Sequence, residues 1–297
     1  MNTLKLEYGQ TPKVLLIGNG INRAFDYASW DDLIKSISTK DLSENEKLCM
    51  SNVPYPLQPV ILTNDHLDTR MKEISQPLSV LRASKDEEVL LRQFASLPVD
   101  AILTTNYTYE LESALDNTFK CIPGRKCKAR YKAYDEGGEY VTRQLHTYFR
   151  SIEEKPPIWH IHGEAARHDT MILGHYYYGK LLSKMQQYVS SLIARAKANN
   201  AREQDLKIRS WMDYFMLGDV YIVGLGMALS EMDLWWLVNC KKRHFPETNV
   251  ILYKPDIKLE EMLLAEAYGI KVETDGLVNN DYKAYYEWVY RELTQKL

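Results

Sequence analysis

Twice along this chain of 297 residues a short apolar run ends in Gly-x-Gly and passes directly into a helical pattern. Residues 14–17 (VLLI) lead into Gly18-Asn19-Gly20, and residues 220–223 (VYIV) lead into Gly224-Leu225-Gly226. A strand that turns through glycines into a helix lets backbone N–H groups approach a phosphate at the positive helix terminus. Three more apolar runs, at 100–104, 250–253 and 270–272, precede helical patterns at 109–115, 258–268 and 282–297. Apart from Lys271 in the short last one, these runs do not alternate apolar with polar residues, so the strands are expected to be buried on both faces, as in a parallel sheet covered by helices. The expected fold class is α/β: a Rossmann-like, doubly wound parallel sheet with an inserted, mainly helical module. Ligands of such sheets bind at the carboxyl ends of the strands, near the topological switch point.

Two stretches interrupt the rhythm. Residues 38–95 are polar and punctuated by Pro54, Pro56, Pro59 and Pro77, with one helix expected near 85–97. Residues 165–217 read as the inserted module, with two long helices at 179–199 and 202–217. Between the second and third core strands, residues 121–148 are basic and then glycine-rich at Gly137-Gly138, which fits a hairpin or a loop. The whole of 1–297 is expected to be one catalytic domain.

Bulk properties exclude several classes. The formal charge is −3, with 37 Lys+Arg against 40 Asp+Glu, so no polybasic surface for nucleic acid or membrane is expected. Four scattered cysteines (Cys49, Cys121, Cys127, Cys240) contain no Cys-x-x-Cys pair, which excludes a Cys-built zinc ribbon and suits a reducing cytoplasm. The strongest apolar stretch, 220–229, is well short of the roughly 20 residues that span a bilayer. Residues 1–10 carry Lys5 and Glu7 and lack the apolar stretch of a signal peptide. A soluble cytoplasmic protein is therefore expected.

Four motifs carry candidate chemistry. In the first glycine loop, the position of a third Rossmann glycine is Arg23, which weakens a dehydrogenase assignment. At the end of the second core strand stand Thr104, Thr105, Asn106, Tyr107 and Thr108. Asn106 either caps the helix that follows or presents its amide to a sugar hydroxyl or a water. In residues 156–164 (PPIWHIHGE), strand alternation predicts that His160 and His162 face the same side. No third ligand lies nearby in sequence, so no metal is expected; one of the pair is a candidate general base and His160 is expected to be a hydrogen-bonded core histidine. In the second glycine loop, Ser230 is expected to cap the next helix and Asp233 to favour its dipole.

Taken together and in this order, the four motifs resemble the sirtuin superfamily, specifically its bacterial sirtuin-like NAD-hydrolase branch used in phage defence. The resemblance covers roughly residues 13–36, 98–116, 156–164 and 218–275. Gly18-Asn19-Gly20-Ile21-Asn22 matches the family's glycine-rich NAD loop, and residues 104–108 match its Thr-x-Asn-x-Asp motif with Thr108 in the acidic place. His162-Gly163 matches the His-Gly motif, Gly224 to Ser230 is similar to the ribose loop, and Trp30-Asp31-Asp32-Leu33-Ile34 looks like the defence branch. The deacylases' four-cysteine zinc ribbon is absent. The resemblance implies NAD+ as substrate and no metal, with Asn106 orienting ribose or water and His162 as general base. It implies that Gly18, Asn19, Gly20, Asn22, Thr104, Thr105, Gly224, Gly226 and Ser230 hold the dinucleotide. It further implies hydrolysis to nicotinamide and ADP-ribose, controlled through a homo-oligomer, a separate partner subunit such as a translocase ATPase, or a phage trigger. A deacylase or ADP-ribosyltransferase, or a non-catalytic NAD sensor, remains the alternative.

Overall fold

The computed structural model describes residues 10–25, 33, 36–50, 52–64, 67–79, 81–115, 131–133, 147–149, 156–201 and 205–297. Its centre is a sheet whose strands, in chain order, are β1 (Lys13–Ile17), β2 (Ala101–Thr104), β3 (Tyr131–Ala133), β4 (Thr147–Phe149), β5 (Ile158–His160), β6 (Asp219–Val223), β7 (Val250–Tyr253) and β8 (Ile270–Glu273). The spatial order is β3-β4-β5-β2-β1-β6-β7-β8. The six strands from β5 to β8 pair in parallel, and β4 and β3 extend the sheet antiparallel beyond β5. This is the α/β architecture that the non-alternating apolar runs predict. The chain winds outward from β1 through β2 to β5, then returns to the other side of β1 with β6, β7 and β8. The switch point therefore lies between β1 and β6.

Both faces of the central strands are buried, and each face has its own core. Val14, Leu16, Leu103, Val220 and Ile222 face one helical layer, which includes Leu181, Met185, Leu192, Trp211 and Phe215. Leu15, Ile17, Ile102 and Val223 face the other, with Leu91, Phe94, Tyr285 and Val289. The helices are α1 (Gly20–Arg23), α2 (Glu44–Met50), α3 (Gln58–Thr63), α4 (Leu67–Ser79), α5 (Lys85–Ala95), α6 (Glu110–Leu115), α7 (His175–Ala201), α8 (Trp211–Leu217), α9 (Met232–His244), α10 (Leu259–Tyr268) and α11 (Tyr282–Lys296). No helix among the described residues is long and apolar enough to cross a membrane.

Two expectations need correction, and a third runs beyond the described residues. Residues 38–95 hold α2, α3 and α4 as well as the expected α5. Their prolines mark helix beginnings more than breaks: Pro59 sits in the first turn of α3 and Pro56 in the first turn of the short 3₁₀ helix Tyr55–Leu57, where the missing N–H has no intrahelical partner to lose. Of the second long helix expected at 202–217, the described residues form only α8. The buried Asp213 carboxylate accepts from the Arg209 amide at 2.7 Å, and also from Tyr188 and Arg195, so Arg209 is held outside the helix. The expected helix after Gly20 is described only to Arg23; Trp30, Asp31, Asp32 and Ile34 lie outside the described residues, as do Cys121, Cys127, Gly137 and Gly138.

Candidate functional site

Register brings the motifs to one edge. Ile17 lies opposite Thr104 on one side and Val223 on the other, Thr104 lies opposite His160, and Val223 lies opposite Tyr253. The residues that follow, Gly18, Thr105, Ile161, Gly224 and Lys254, therefore leave the sheet at the same level.

The two glycine loops touch. Gly18 N–H donates to the Val223 carbonyl at 2.9 Å and Gly20 N–H to the Gly224 carbonyl at 2.6 Å. A Cβ on Gly18 would stand 2.5 Å from the Gly224 oxygen, and one on Gly20 would stand 2.5 Å from the Tyr286 hydroxyl of α11. Both glycines are thus demanded by packing, whatever else approaches them. Gly226 differs: it is exposed, and a Cβ there would meet no atom within 4 Å. Beside it Met227 holds φ +46°, an uncommon conformation for a side-chain-bearing residue. Lys254, at the end of β7, steadies this loop by donating to the Gly226 carbonyl at 2.7 Å while paired with Glu261.

Asn22 stands on the first turn of α1, fully buried, with neither its Oδ1 nor its Nδ2 hydrogen-bonded. A buried amide without partners is costly, which fits a site completed by a polar ligand. Asn19 and Thr105 are partly exposed at the same edge. Thr104 is buried and its hydroxyl accepts from the Asn106 backbone N–H at 3.1 Å, so it shapes the loop.

Asn106 does not cap a helix. Helix α6 begins at Glu110, four residues on, and the Asn106 side chain, partly exposed, takes no hydrogen bond among the described residues. Its backbone is held firmly. The His160 Nδ1–H donates to the Asn106 carbonyl at 2.6 Å, and the His160 Nε2–H donates to Glu112 at 2.7 Å. With both nitrogens donating, the imidazole carries its proton: burial pulls its pKa down, but Glu112 and Glu164 more than reverse this, to about 9. His160 is the hydrogen-bonded core histidine that the sequence led us to expect. Thr108, in the place that the sirtuin motif gives to an acid, hydrogen-bonds to Glu110.

His160 and His162 do not share a face. Strand β5 ends at His160 and the chain turns through Gly163 at φ +87°, so alternation stops before His162. His162, 4% exposed, donates Nε2–H to Asp233 Oδ2 at 2.8 Å, with Tyr178 of α7 edge-on to its ring at a centroid distance of 5.5 Å. Burial opposes protonation, but Asp233 and then Glu231 prevail, and the imidazole is held above its ordinary pKa. Segments leaving β5 and β6 start three strand spacings apart, about 14 Å. The His162–Asp233 pair therefore closes a bridge over the ends of β2 and β1.

Asp233 is the residue that sequence patterns assign only to the α9 dipole; its partner lies 71 positions away. Ser230 is not the α9 cap. A turn from Ala228 to Glu231 places Ser230 one residue too early, and Glu231 occupies the N-cap position without a side-chain cap bond. The third acid or base that local spacing does not reveal also comes from here: His162, Glu231 and Asp233 each offer a ligand atom, all within 4.8 Å of one another. Burial pushes the Glu231 carboxyl up to about 7, against the pull of His162 and with a further push from Asp233.

Residues 100–202 match the model of the SIR2-like domain. The matched stretch contains Asn106, His162 and Gly163, and it stops short of both glycine loops. No curated protein matches the chain. The SIR2-like match supports placement in the sirtuin-like superfamily and is compatible with NAD-related activity, since SIR2-like domains bind NAD.

Proposed function

We propose that the chain is a NAD+ glycohydrolase that cleaves the bond between nicotinamide and ribose, releasing nicotinamide and ADP-ribose. The observation that carries this reading is the buried His162–Asp233 pair, 2.8 Å apart, beside the Asn106 loop at the strand-end edge. Asp233 accepts the Nε2–H, which fixes the tautomer and leaves Nδ1 as the proton acceptor of the neutral ring. In the reaction the C1′–N1 electron pair leaves with nicotinamide and discharges its ring. A water oxygen bonds to C1′, and its proton passes to His162 Nδ1. The Asn106 side-chain amide, free of other partners among the described residues, stands on a backbone whose carbonyl His160 holds, and it orients the water or the ribose. The orphaned amide of Asn22 and the open face at Gly226 offer contacts for the dinucleotide, together with the N–H groups around Gly18, Gly20 and Gly224.

The biological reading is depletion of NAD+ in anti-phage defence, with activity governed by self-assembly, a partner subunit or a phage trigger. Support for it is the order of the four motifs and their likeness to the defence branch. The test is incubation with NAD+ and chromatography for free nicotinamide and ADP-ribose, on the chain alone, in its assembled forms and with phage-infected lysate. Product in any state, lost in Asn106→Ala, supports the proposal. Absence of product in every state sinks it. NAD+ consumption that depends strictly on an acylated peptide would select a deacylase instead.

A further inference from the structure

The ends of β5 and β6 bring an imidazole and two carboxylates together with no cation beside them among the described residues. His162 and Asp233 are 4% and 2% exposed. Asp233 Oδ1 and Glu231 Oε2 are both buried and have no hydrogen-bond partner. Among the described residues, the only positive charge near either carboxylate is a proton on His162. An unpaired buried carboxylate oxygen is costly, and the usual remedies are a hydrogen bond, an ion pair or a metal ion.

We infer that His162, Glu231 and Asp233 form a site for a divalent transition-metal ion, of the Mn²⁺ or Zn²⁺ class. Ligand atoms mutually within 4.8 Å are close to the spread one ion sets: at bond lengths of roughly 2.0–2.2 Å trans ligands stand about 4.4 Å apart, so side-chain shifts of a few tenths of an ångström suffice to close the shell. The 2.8 Å between His162 Nε2 and Asp233 Oδ2 is close to the separation of two adjacent ligands. One nitrogen and two carboxylate oxygens suit Mn²⁺ and Zn²⁺ better than Ca²⁺, which prefers oxygen alone, or Cu(I), which prefers sulfur. Glu231 is partly exposed, and Gly226, Leu229 and Met232 on the same loop and helix start are exposed.

The metal has a consequence for the proposed hydrolysis, and this part of the inference rests on that reading. A neutral imidazole has one lone pair. A cation that takes it leaves none for the attacking water, so occupancy and base catalysis at His162 exclude each other. The ion would act as an inhibitor of the resting enzyme.

The test is a Mn²⁺ titration of the chelator-stripped full chain, followed by electron paramagnetic resonance of the free ion, with NAD+ hydrolysis assayed at each point. We expect one saturable Mn²⁺ per chain, displaced by Zn²⁺ and weakened roughly tenfold or more in Glu231→Gln and in Asp233→Asn. We expect hydrolysis to fall as the site fills and to return on adding EDTA. No saturable binding to folded wild-type chain, or equal binding in both variants, overturns the site. Hydrolysis that requires the metal overturns the exclusion. If one variant does not fold, the other and a Zn²⁺ anomalous-scattering map of wild-type crystals decide the location. Because binding is read without turnover, failure of the hydrolase reading leaves this result standing on its own.

Discussion

At the scale of single residues, the site divides into groups placed to meet a ligand and groups that hold others. In the proposed reaction Asn106 and His162 are the working groups, whereas His160 and Glu112 hold the Asn106 backbone from behind. Replacing Asn106 with Ala removes no hydrogen bond among the described residues, so the melting temperature should stay within a few degrees while nicotinamide release falls about a hundredfold or more. His162→Ala should cost as much activity and also destabilise the fold, because it leaves the Asp233 carboxylate buried and alone. Glu110 gives a prediction for stability. Burial raises its carboxyl from an ordinary 4.5 to about 7, with the hydrogen bond from Thr108 opposing. The native state then holds a proton that the unfolded chain releases, so stability is full below pH 4.5 and declines as pH rises through 7. The shift corresponds to a loss on the order of 3 kcal/mol. Urea midpoints measured across that range should fall in wild type and stay flatter in Glu110→Gln; a parallel slope in the variant would contradict the assignment. Candidate residues were legible in the sequence where polar groups cluster beside a strand end, as at Asn106 and His162. Asp233, Glu231 and Glu112 were not, because their partners are 48 to 71 positions away and only the tertiary fold brings them near.

At the scale of elements, the two glycine loops look alike in sequence and differ in what they need. Gly18 and Gly20 are fixed by the neighbouring loop and by Tyr286, whereas nothing in the protein crowds Gly226. Gly18→Ala should destabilise by about 1–3 kcal/mol through overpacking. Gly226→Ala should leave the melting temperature unchanged and weaken NAD+ binding by calorimetry; a melting loss in Gly226→Ala equal to that of Gly18→Ala would contradict the distinction. The parallel strands were readable because burial on both faces leaves a continuous apolar run. The same arithmetic failed over residues 38–95, where Pro56 and Pro59 serve helix starts, and over 205–210, where Asp213 takes the Arg209 amide out of a helical pattern. The β5 reading failed in a similar way: alternation was sound to His160, but the turn into Gly163 sent His162 to a different partner.

At the scale of the molecule, the outward and returning halves of the sheet meet at β1 and β6, and the bridge from His162 to Asp233 ties the two halves together over that switch point. In the proposed reaction, chemistry carried by the outward half, Asn106 and His162, is thereby coupled to the second glycine loop, carried by the returning half. This coupling is the central claim, and Asp233 is the residue that makes it. The most direct measurement is the rate of nicotinamide release from NAD+ by wild type and by Asp233→Asn, which keeps the side chain's size, with circular dichroism confirming that both are folded. The account predicts release by wild type in its active assembly and a loss of about a hundredfold or more in kcat, with KM little changed, in the variant. Wild-type turnover that survives intact in Asp233→Asn would contradict it.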